Sequence, residues 1–421
     1  MPPDRLMFGK LIKRINKYLQ LDLYYYIKNS AWLISSQLGI ELTRFGLTVA
    51  FAHLITKEVY GQWNFILSII GVSAILTLPG TSSAVTQSVS AGYDGVLVRG
   101  TRQRLKWGIW GTFVVTGVGL YYVFSGDLAI GASLIIGSLF FPLYNAFLNF
   151  AAFYSGKKQF NKVAIYQLIT QVVSTVMTFA AIYFSRNLIW ISTTYLLSFS
   201  VLRGYFYRSA RRSMENQNDD PRALSFGKHL TLSTIPSEIR QHYDRIIIGL
   251  FLSFSDLAIY AIALGFADII YSFSSILATL ALPKLAQMDQ ETAYREVKRR
   301  WPWLVIGFGI TCGAAIALCP YIIPFFYSAA YVDSVFYARL LLISVIIAAP
   351  VPIINKALFP SQRKVNILYR LRIYSAIIEI SLLTVLALEF GLLGAVIAVM
   401  LGRAFTAFYS LKLAGFISFR K

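Results

Sequence analysis

The sequence predicts an all-α polytopic membrane protein, twelve transmembrane helices in two six-helix halves. Three observations carry that expectation. The chain is 57% hydrophobic and only 14% charged, where soluble domains carry roughly 25% charged residues. Apolar segments of about 20 residues, long enough to cross a hydrocarbon core of about 30 Å, recur from end to end. Threaded alternately through a bilayer, those segments leave nearly all Lys and Arg on one side.

Span 1 (31–55) follows a basic amphipathic stretch, Met1 to Lys28, which lacks the short apolar run and small-residue cleavage site of a signal peptide. Span 2 (62–88) contains Pro79-Gly80, and span 10 (335–355) ends on Pro350 and Pro352. Each is expected to bend there. Spans 3 to 6 fall at 107–124, 128–154, 163–184 and 188–207. The longest strongly polar connection comes next and divides the chain into residues 1–208, a cytoplasmic linker 209–224, and residues 225–421. Spans 7 to 9 are 227–252, 257–283 and 301–319, and spans 11 and 12 are 368–388 and 391–411. Gln287 to Arg300 alternates charge at helical spacing and reads as an interfacial helix. Pro320 to Ser334 reads as an apolar, aromatic outer loop. The segments Phe51–Tyr60 and Gly249–Tyr260 both read as helix end, acidic turn, tyrosine and new helix. Halves of six spans share one orientation, so they are expected to be related by an axis along the membrane normal, with the transport site between them.

Of the Lys and Arg outside the spans, 29 fall in the two tails and the even-numbered loops, and two, Lys57 and Arg186, fall on the other side. That asymmetry places both termini in the cytoplasm, and the membrane is expected to be a bacterial inner membrane. The net charge of +20 is therefore a topology signal and a contact for anionic lipids rather than a nucleic-acid surface. Cys312 and Cys319 stand seven residues apart on one helix face, roughly 10 Å along the axis, too far for a disulfide. The three histidines show no metal-ligand spacing.

Charge within a span costs roughly 2.5–3.5 kcal/mol at the bilayer centre and so faces a cavity or a partner. In span 1, Gln37, Glu41, Arg44 and Thr48 form one polar face; in span 7, Ser233, Ser237, Arg240 and Asp244 repeat the spacing beside Thr234, Glu238, Gln241 and Arg245. Span 8 adds Asp268, Ser272, Ser275 and Thr279. Counting about 1.5 Å per residue puts Arg44 roughly 21 Å and Arg245 roughly 17 Å below the outer edge. Two readings stand. Either spans 1, 2, 7 and 8 line a cleft whose arginines attract an anion, guanidinium being suited to phosphate oxygens, or Glu41–Arg44 and Arg240–Asp244 are local ion pairs that dock helices. A second group, Arg339, Arg370, Arg372, Glu379 and Arg403, lies in spans 10 to 12; Arg372 and Glu379 share a face, and Arg370 and Arg372 snorkel to the headgroups.

Glu58-Val59-Tyr60-Gly61-Gln62-Trp63 through Leu78-Pro79-Gly80, Gln87-Ser88-Val89-Ser90-Ala91-Gly92-Tyr93-Asp94-Gly95, and Tyr243-Asp244-Arg245-Ile246-Ile247-Ile248-Gly249 with Ile259-Tyr260-Ala261 resemble the polysaccharide-exporting flippases of the multidrug/oligosaccharidyl-lipid/polysaccharide (MOP) superfamily. That resemblance implies a V-shaped fold whose first, second, seventh and eighth helices line a central cavity. It implies alternating-access flipping of an undecaprenyl-diphosphate-linked oligosaccharide for O-antigen or capsule assembly, by a monomer working beside glycosyltransferases and a polysaccharide polymerase. Under it, Arg44, Arg240, Arg245, Gln37 and Arg339 bind the diphosphate-sugar head. Glu41, Glu238, Asp244, Asp268 and Glu379 compensate charge or couple transport to H⁺, Na⁺ or the membrane potential, with no cofactor.

Two other classes compete. A drug or cation antiporter of the same superfamily calls for a cavity dominated by carboxylates, whereas this one mixes in arginines. A membrane enzyme of polysaccharide assembly, a polymerase or ligase, needs a sizeable extramembrane region, and no outer loop here is large. No phosphate-binding glycine loop signals direct use of ATP.

Overall fold

The computed structural model describes residues 23–362 and 364–416, with the side chains of 23–31, 283 and 365 left aside. Most of the basic N-terminal stretch lies outside the described residues. The described chain is helical throughout, without a strand. In order the helices are α1 (Leu23–Leu54), α2 (Lys57–Ser73), α3 (Gly80–Ser90), α4 (Val96–Phe124), α5 (Leu128–Ala146), α6 (Asn149–Gly156), α7 (Phe160–Ser185), α8 (Leu188–Arg212), α9 (Ala223–Phe251), α10 (Phe254–Leu285), α11 (Gln290–Tyr327), α12 (Asp333–Ala348) and α13 (Val365–Leu413).

Among the described residues seven helices are long and apolar enough to cross a membrane, or eight if the bent pair in span 10 counts as one. Large apolar side chains such as Phe113, Phe124, Leu139, Phe184 and Trp303 stand exposed around the bundle, a surface that only lipid covers well. The chain is a multi-pass membrane protein. Helices α1, α8 and α9 are as long but carry the intramembrane charges, and α13 turns back on itself at Gly391, whose φ of 60° suits glycine. Twelve crossings require adding those passes.

The prolines act as expected. Span 2 breaks after the 3₁₀ turn Ala74–Thr77, where Leu78 is left-handed and Pro79 begins α3. Span 10 bends by 43° and runs through the π-helical turn Ile353–Leu358. Span 4 also breaks, between α5 and α6. Two loop expectations fail. The interfacial helix and span 9 are one 38-residue helix, α11, and the stretch read as an outer loop is helical as far as Tyr327, running through Pro302, Pro320 and Pro324.

The tight turns between helices 1 and 2 and between helices 9 and 10 share their chemistry. Thr56 caps α2 by accepting from Val59 N, and Ser253 caps α10 in a reciprocal box with Asp256. Tyr60 and Tyr260 are both buried but sit four and seven residues past those caps, so the correspondence is in the turns rather than the tyrosines.

The polar connection after α8 is not a loose tether. Asp94, fully buried, pairs with Lys157 at 2.9 Å and accepts from the Glu215 amide at 2.8 Å. Lys157 reaches Glu215 at 3.1 Å, Arg99 meets Asp219 at 2.7 Å, and Ser88 donates to Asp220 at 2.8 Å. Burial pulls the Lys157 ammonium down, but its hydrogen bonds to Asp94 and Glu215 outweigh that and leave its pKa above the ordinary value. The Ser88 hydroxyl, with the Arg222 amide, holds the Asp220 carboxyl below its ordinary range. The Gln87–Gly95 motif therefore has a physical job: it docks residues 215–220 onto the basic end of the bundle.

Candidate functional site

On α1 the predicted polar face is real. Gln37 Nε2 donates to Glu41 Oε1 at 2.7 Å, and Arg44 Nη1 meets the same oxygen at 3.3 Å. The Arg44 side chain is 59% exposed. An exposed pair of this kind contributes about 0–1 kcal/mol, so the guanidinium is readily released to a better anion. Ile40, Leu47 and Phe51, at i−4, i+3 and i+7 from Arg44, are buried, so the polar stripe borders the packed face of α1.

On α9 the arrangement departs from expectation. Arg240 does not pair with Asp244; its Nη1 reaches Glu379 Oε2 of α13 at 3.1 Å. Glycine at 402, on the returning arm of α13, makes room for that carboxyl, since a Cβ there would stand 2.8 Å from Glu379 Oε2. Arg372, expected to share a face with Glu379, is exposed and has no partner among the described residues. Asp244 instead accepts from the Tyr260 hydroxyl at 2.6 Å and from the Arg245 amide at 2.8 Å. Asp268 pairs with Arg403 at 2.8 Å, and Arg403 also donates to Ser344 at 3.3 Å. Sequence spacing sees partners on one helix only, so it could not find these interhelical pairs.

Arg245, Glu238 and Asp244 are the charges of this cluster left without an ion pair among the described residues, and Arg245 Nε is sealed from solvent with no acceptor. Arg339 lies apart on α12, its Nε donating to Ile316 O of α11 at 3.4 Å. The hydroxyls of Ser233, Thr234 and Ser237 return to carbonyls of their own helix, which removes them as free polar ligands. Among the described residues no group of His, Cys, Asp and Glu could hold a metal ion.

Helices α2 and α3 pack against α9 and α10. Glycine backbones allow the approach: Gly61 against Phe254, Gly249 against Phe65, and Gly80 against Gly227, with Gly80 N donating to Thr231 Oγ1 at 3.0 Å. Helix α1 touches the other half near its end, where His53 Nε2 donates to Phe326 O at 2.9 Å and Phe45 packs edge-on to Phe326 and Tyr327.

Residues 26–289, spanning α1 to α10, match the model of a family described as polysaccharide biosynthesis protein. The chain belongs to that family. No curated protein sequence matches it. Its fold is that of the MOP superfamily. An inward-facing multidrug resistance MATE family transporter superposes with a TM-score of 0.68 at 14% identity, covering 89% of this chain and 94% of that one. The lipid II flippase MurJ, in an inward closed conformation, superposes with 0.68 at 14% identity, covering 91% and 87%. A MOP superfamily transporter from Pyrococcus furiosus, noted for the reverse polarity of its binding pocket, gives 0.60 at 12%, covering 93% and 94%.

Two arginines of this polysaccharide biosynthesis protein escaped the sequence reading. Arg104, assigned there to a cytoplasmic loop, is 2% exposed inside α4 and donates to Ser82 at 2.6 Å and to Asn149 at 3.0 Å. It stitches the breaks of spans 2 and 4 together, and the polar residues at both breaks were the signal. Arg203, on α8, lies over the Tyr144 ring at 4.2 Å and donates to the Tyr144 carbonyl. It stands alone in an apolar run, so no spacing marked it.

Proposed function

We propose that this protein flips an undecaprenyl-diphosphate-linked oligosaccharide from the cytoplasmic to the periplasmic leaflet of a bacterial inner membrane. It does so by alternating access, with twelve crossings, both termini cytoplasmic, and halves at residues 1–208 and 225–421 joined by the linker 209–224. The product feeds O-antigen, capsule or exopolysaccharide assembly, between glycosyltransferases that build the oligosaccharide and a polymerase that uses it. Family membership and the MurJ-like fold support this reading. The observation that carries it is Arg44: a guanidinium within a spanning helix, largely exposed and held by one weak pair.

In this reading Arg44 receives the diphosphate, with Gln37 beside it, and Arg245 faces it from the other half. Arg240 serves to hold Glu379, and Glu238, whose carboxyl is unclaimed, is the group free to take up a coupling proton. The exposed guanidinium argues against a drug cation as cargo, since it would repel one. Arg44→Ala and Arg245→Ala variants should reach the membrane in normal amounts yet fail to support surface polysaccharide, read as loss of the ladder on a gel of cell-envelope extract. Wild-type polysaccharide with both arginines replaced would sink the proposal.

A further inference from the structure

The inner ends of spans 2 and 4 are cut from the rest of their spans. Span 2 is interrupted by the 3₁₀ turn Ala74–Thr77 and the left-handed Leu78, and its inner piece is α3. Span 4 is interrupted at 147–148, and its inner piece is α6. Counting about 1.5 Å per residue from Lys57 and Leu128, both breaks lie roughly 30 Å along their spans. The counterpart of span 2 in the other half, α10, runs unbroken from Phe254 to Leu285, so a helix of the glycine seam has no need to break.

The two inner pieces are fastened to each other. Ser82 donates to Asn149 Oδ1 at 2.9 Å and Thr86 to Ala152 O at 3.1 Å, and Gly156 lets α6 lie against Thr86 O and Val89. Helix α3 is as tightly held by α9 of the other half. A Cβ on Gly80 would stand 2.5 Å from Gly227 O, and Gly80 N donates to Thr231 Oγ1 at 3.0 Å. Ser88 of α3 also holds Asp220 of the linker, and Ala223, the first residue of α9, joins the apolar cluster of Val89 and Phe153.

Toward its own half the pair meets α4, continuous from Val96 to Phe124, through Arg104. That guanidinium is 2% exposed and has no carboxylate partner among the described residues. Its Nη2 lies 3.5 Å from Thr77 Oγ1, before the span 2 break, while Nη1 donates to Ser82, after it, at 2.6 Å. Nη1 also donates to Asn149, just past the span 4 break, at 3.0 Å. The apolar core divides at this polar layer: Ile70, Val115 and Phe141 belong to one cluster, and Val85, Val89 and Phe150 to another. Tilting a packed apolar core opens voids, whereas hydrogen bonds in a polar layer can change partners. A stretch of 3₁₀ helix within a span often marks a hinge.

We propose that α3 and α6 form one block that stays with the inner end of α9, on the other half, and turns at the breaks of spans 2 and 4 with Arg104 as its pin. The Gly80–Gly227 contact then survives a rocking of the halves, because the breaks absorb the angle that an unbroken span 2 would pass on to it. Arg104 is a positioning residue in this motion, and the inference does not depend on what the cargo is.

Double electron–electron resonance on the full-length protein in lipid nanodiscs tests it. The background is Cys312→Ala with Cys319→Ala, and spin-labelled cysteines replace the exposed residues Gln87, Phe124, Phe184 and Phe226. Gln87 with Phe124 reports the block against its own half, and Phe226 with Phe124 reports the start of α9 against the same reference. Phe124 with Phe184 joins two outer helix ends and crosses no break. Without substitution at Arg104, the first two distance distributions should be broader than the third. Arg104→Met should raise the minor population of both roughly tenfold or more and leave the third unchanged. A Gln87–Phe124 distance as narrow as the third, and unmoved by Arg104→Met, overturns the hinge. A change at Gln87 without one at Phe226 overturns the tie between the block and α9. Should Arg104→Met not accumulate as folded protein, Ser82→Ala removes one acceptor of the pin and should give the same shifts at smaller size; their absence overturns the role of Arg104.

Discussion

Removing the Arg240 guanidinium should destabilise the bundle in a pH-dependent way that removing Glu379 does not. The two groups are 3.1 Å apart, with side chains 38% and 13% exposed. Breaking a fully buried pair costs about 3–5 kcal/mol, and breaking an exposed one about 0–1. The poorly hydrated partner decides where this pair falls. In Arg240→Met the Glu379 carboxylate loses its cation in a place water scarcely reaches, at a cost of about 2–3 kcal/mol at pH 7. Protonation caps that cost. An ordinary glutamate takes a proton at pH 7 for roughly 3.7 kcal/mol and at pH 5 for roughly 1. The penalty of Arg240→Met should therefore shrink to about 1 kcal/mol at pH 5. Glu379→Met leaves an arginine that can turn to water, costing about 1 kcal/mol. With both replaced, no charge is stranded and stability should return to within about 1 kcal/mol of wild type, a coupling of about 2 kcal/mol. Reversible unfolding in mixed micelles, followed by tryptophan fluorescence at both pH values, measures all four corners. Additive single effects, or an Arg240→Met penalty that ignores pH, would refute the pair.

Three further outcomes are expected. Asp94→Ala strands the Lys157 ammonium and frees the Glu215 amide, so the linker at residues 213–222 should be cut by trypsin many times faster while the helices stay protected. Asp220 has a lowered folded pKa, so its stabilising contribution is complete above the unfolded value of about 3.9 and is lost as pH falls through the folded one; the linker should resist pepsin until well below about pH 4, and Ser88→Ala should move that onset upward. Gly61→Ala places a methyl group against the Phe254 backbone and should sharply reduce the amount of folded protein in the membrane, whereas Gly46→Ala, with open space around it, should be neutral or gain up to about 1 kcal/mol of helix stability.

The parts of this structure set by local rules could be read from the sequence. Apolar length and the Lys and Arg bias mark the spanning helices, Pro79 and Pro350 mark the bends, and i, i+4, i+7 spacing finds the Gln37–Glu41–Arg44 network, because its members share one helix. What escaped depends on which helices become neighbours. Arg240 and Asp244 have ideal spacing for a local pair, yet Glu379 wins Arg240 because α13 brings it close, with Gly402 clearing the space. Asp94 looked like an ordinary loop acid, and only the folded linker shows it sealed beneath Lys157. Arg104 was lost to a misjudged helix start: α4 begins at Val96, about three turns before the apolar run that announces it.

The two contacts between the halves differ in kind, and that difference bears on how an anion could pass. Along α2, α3, α9 and α10 the contact is backbone against glycine, which no small rearrangement can part without opening a void. Helix α1 instead reaches the other half through a histidine–carbonyl bond and a few edge-on rings, with Lys57 and Asp333 nearby at 3.7 Å; each is worth about 1 kcal/mol. A bundle joined this way has its yielding side at α1, and the glycine seam serves as the axis about which that side would part. Arg44 sits on the yielding helix, nine residues from His53, and Arg245 sits on α9, one of the helices of the glycine seam, so parting α1 from the other half would change the distance between the two guanidiniums and with it their hold on an anion.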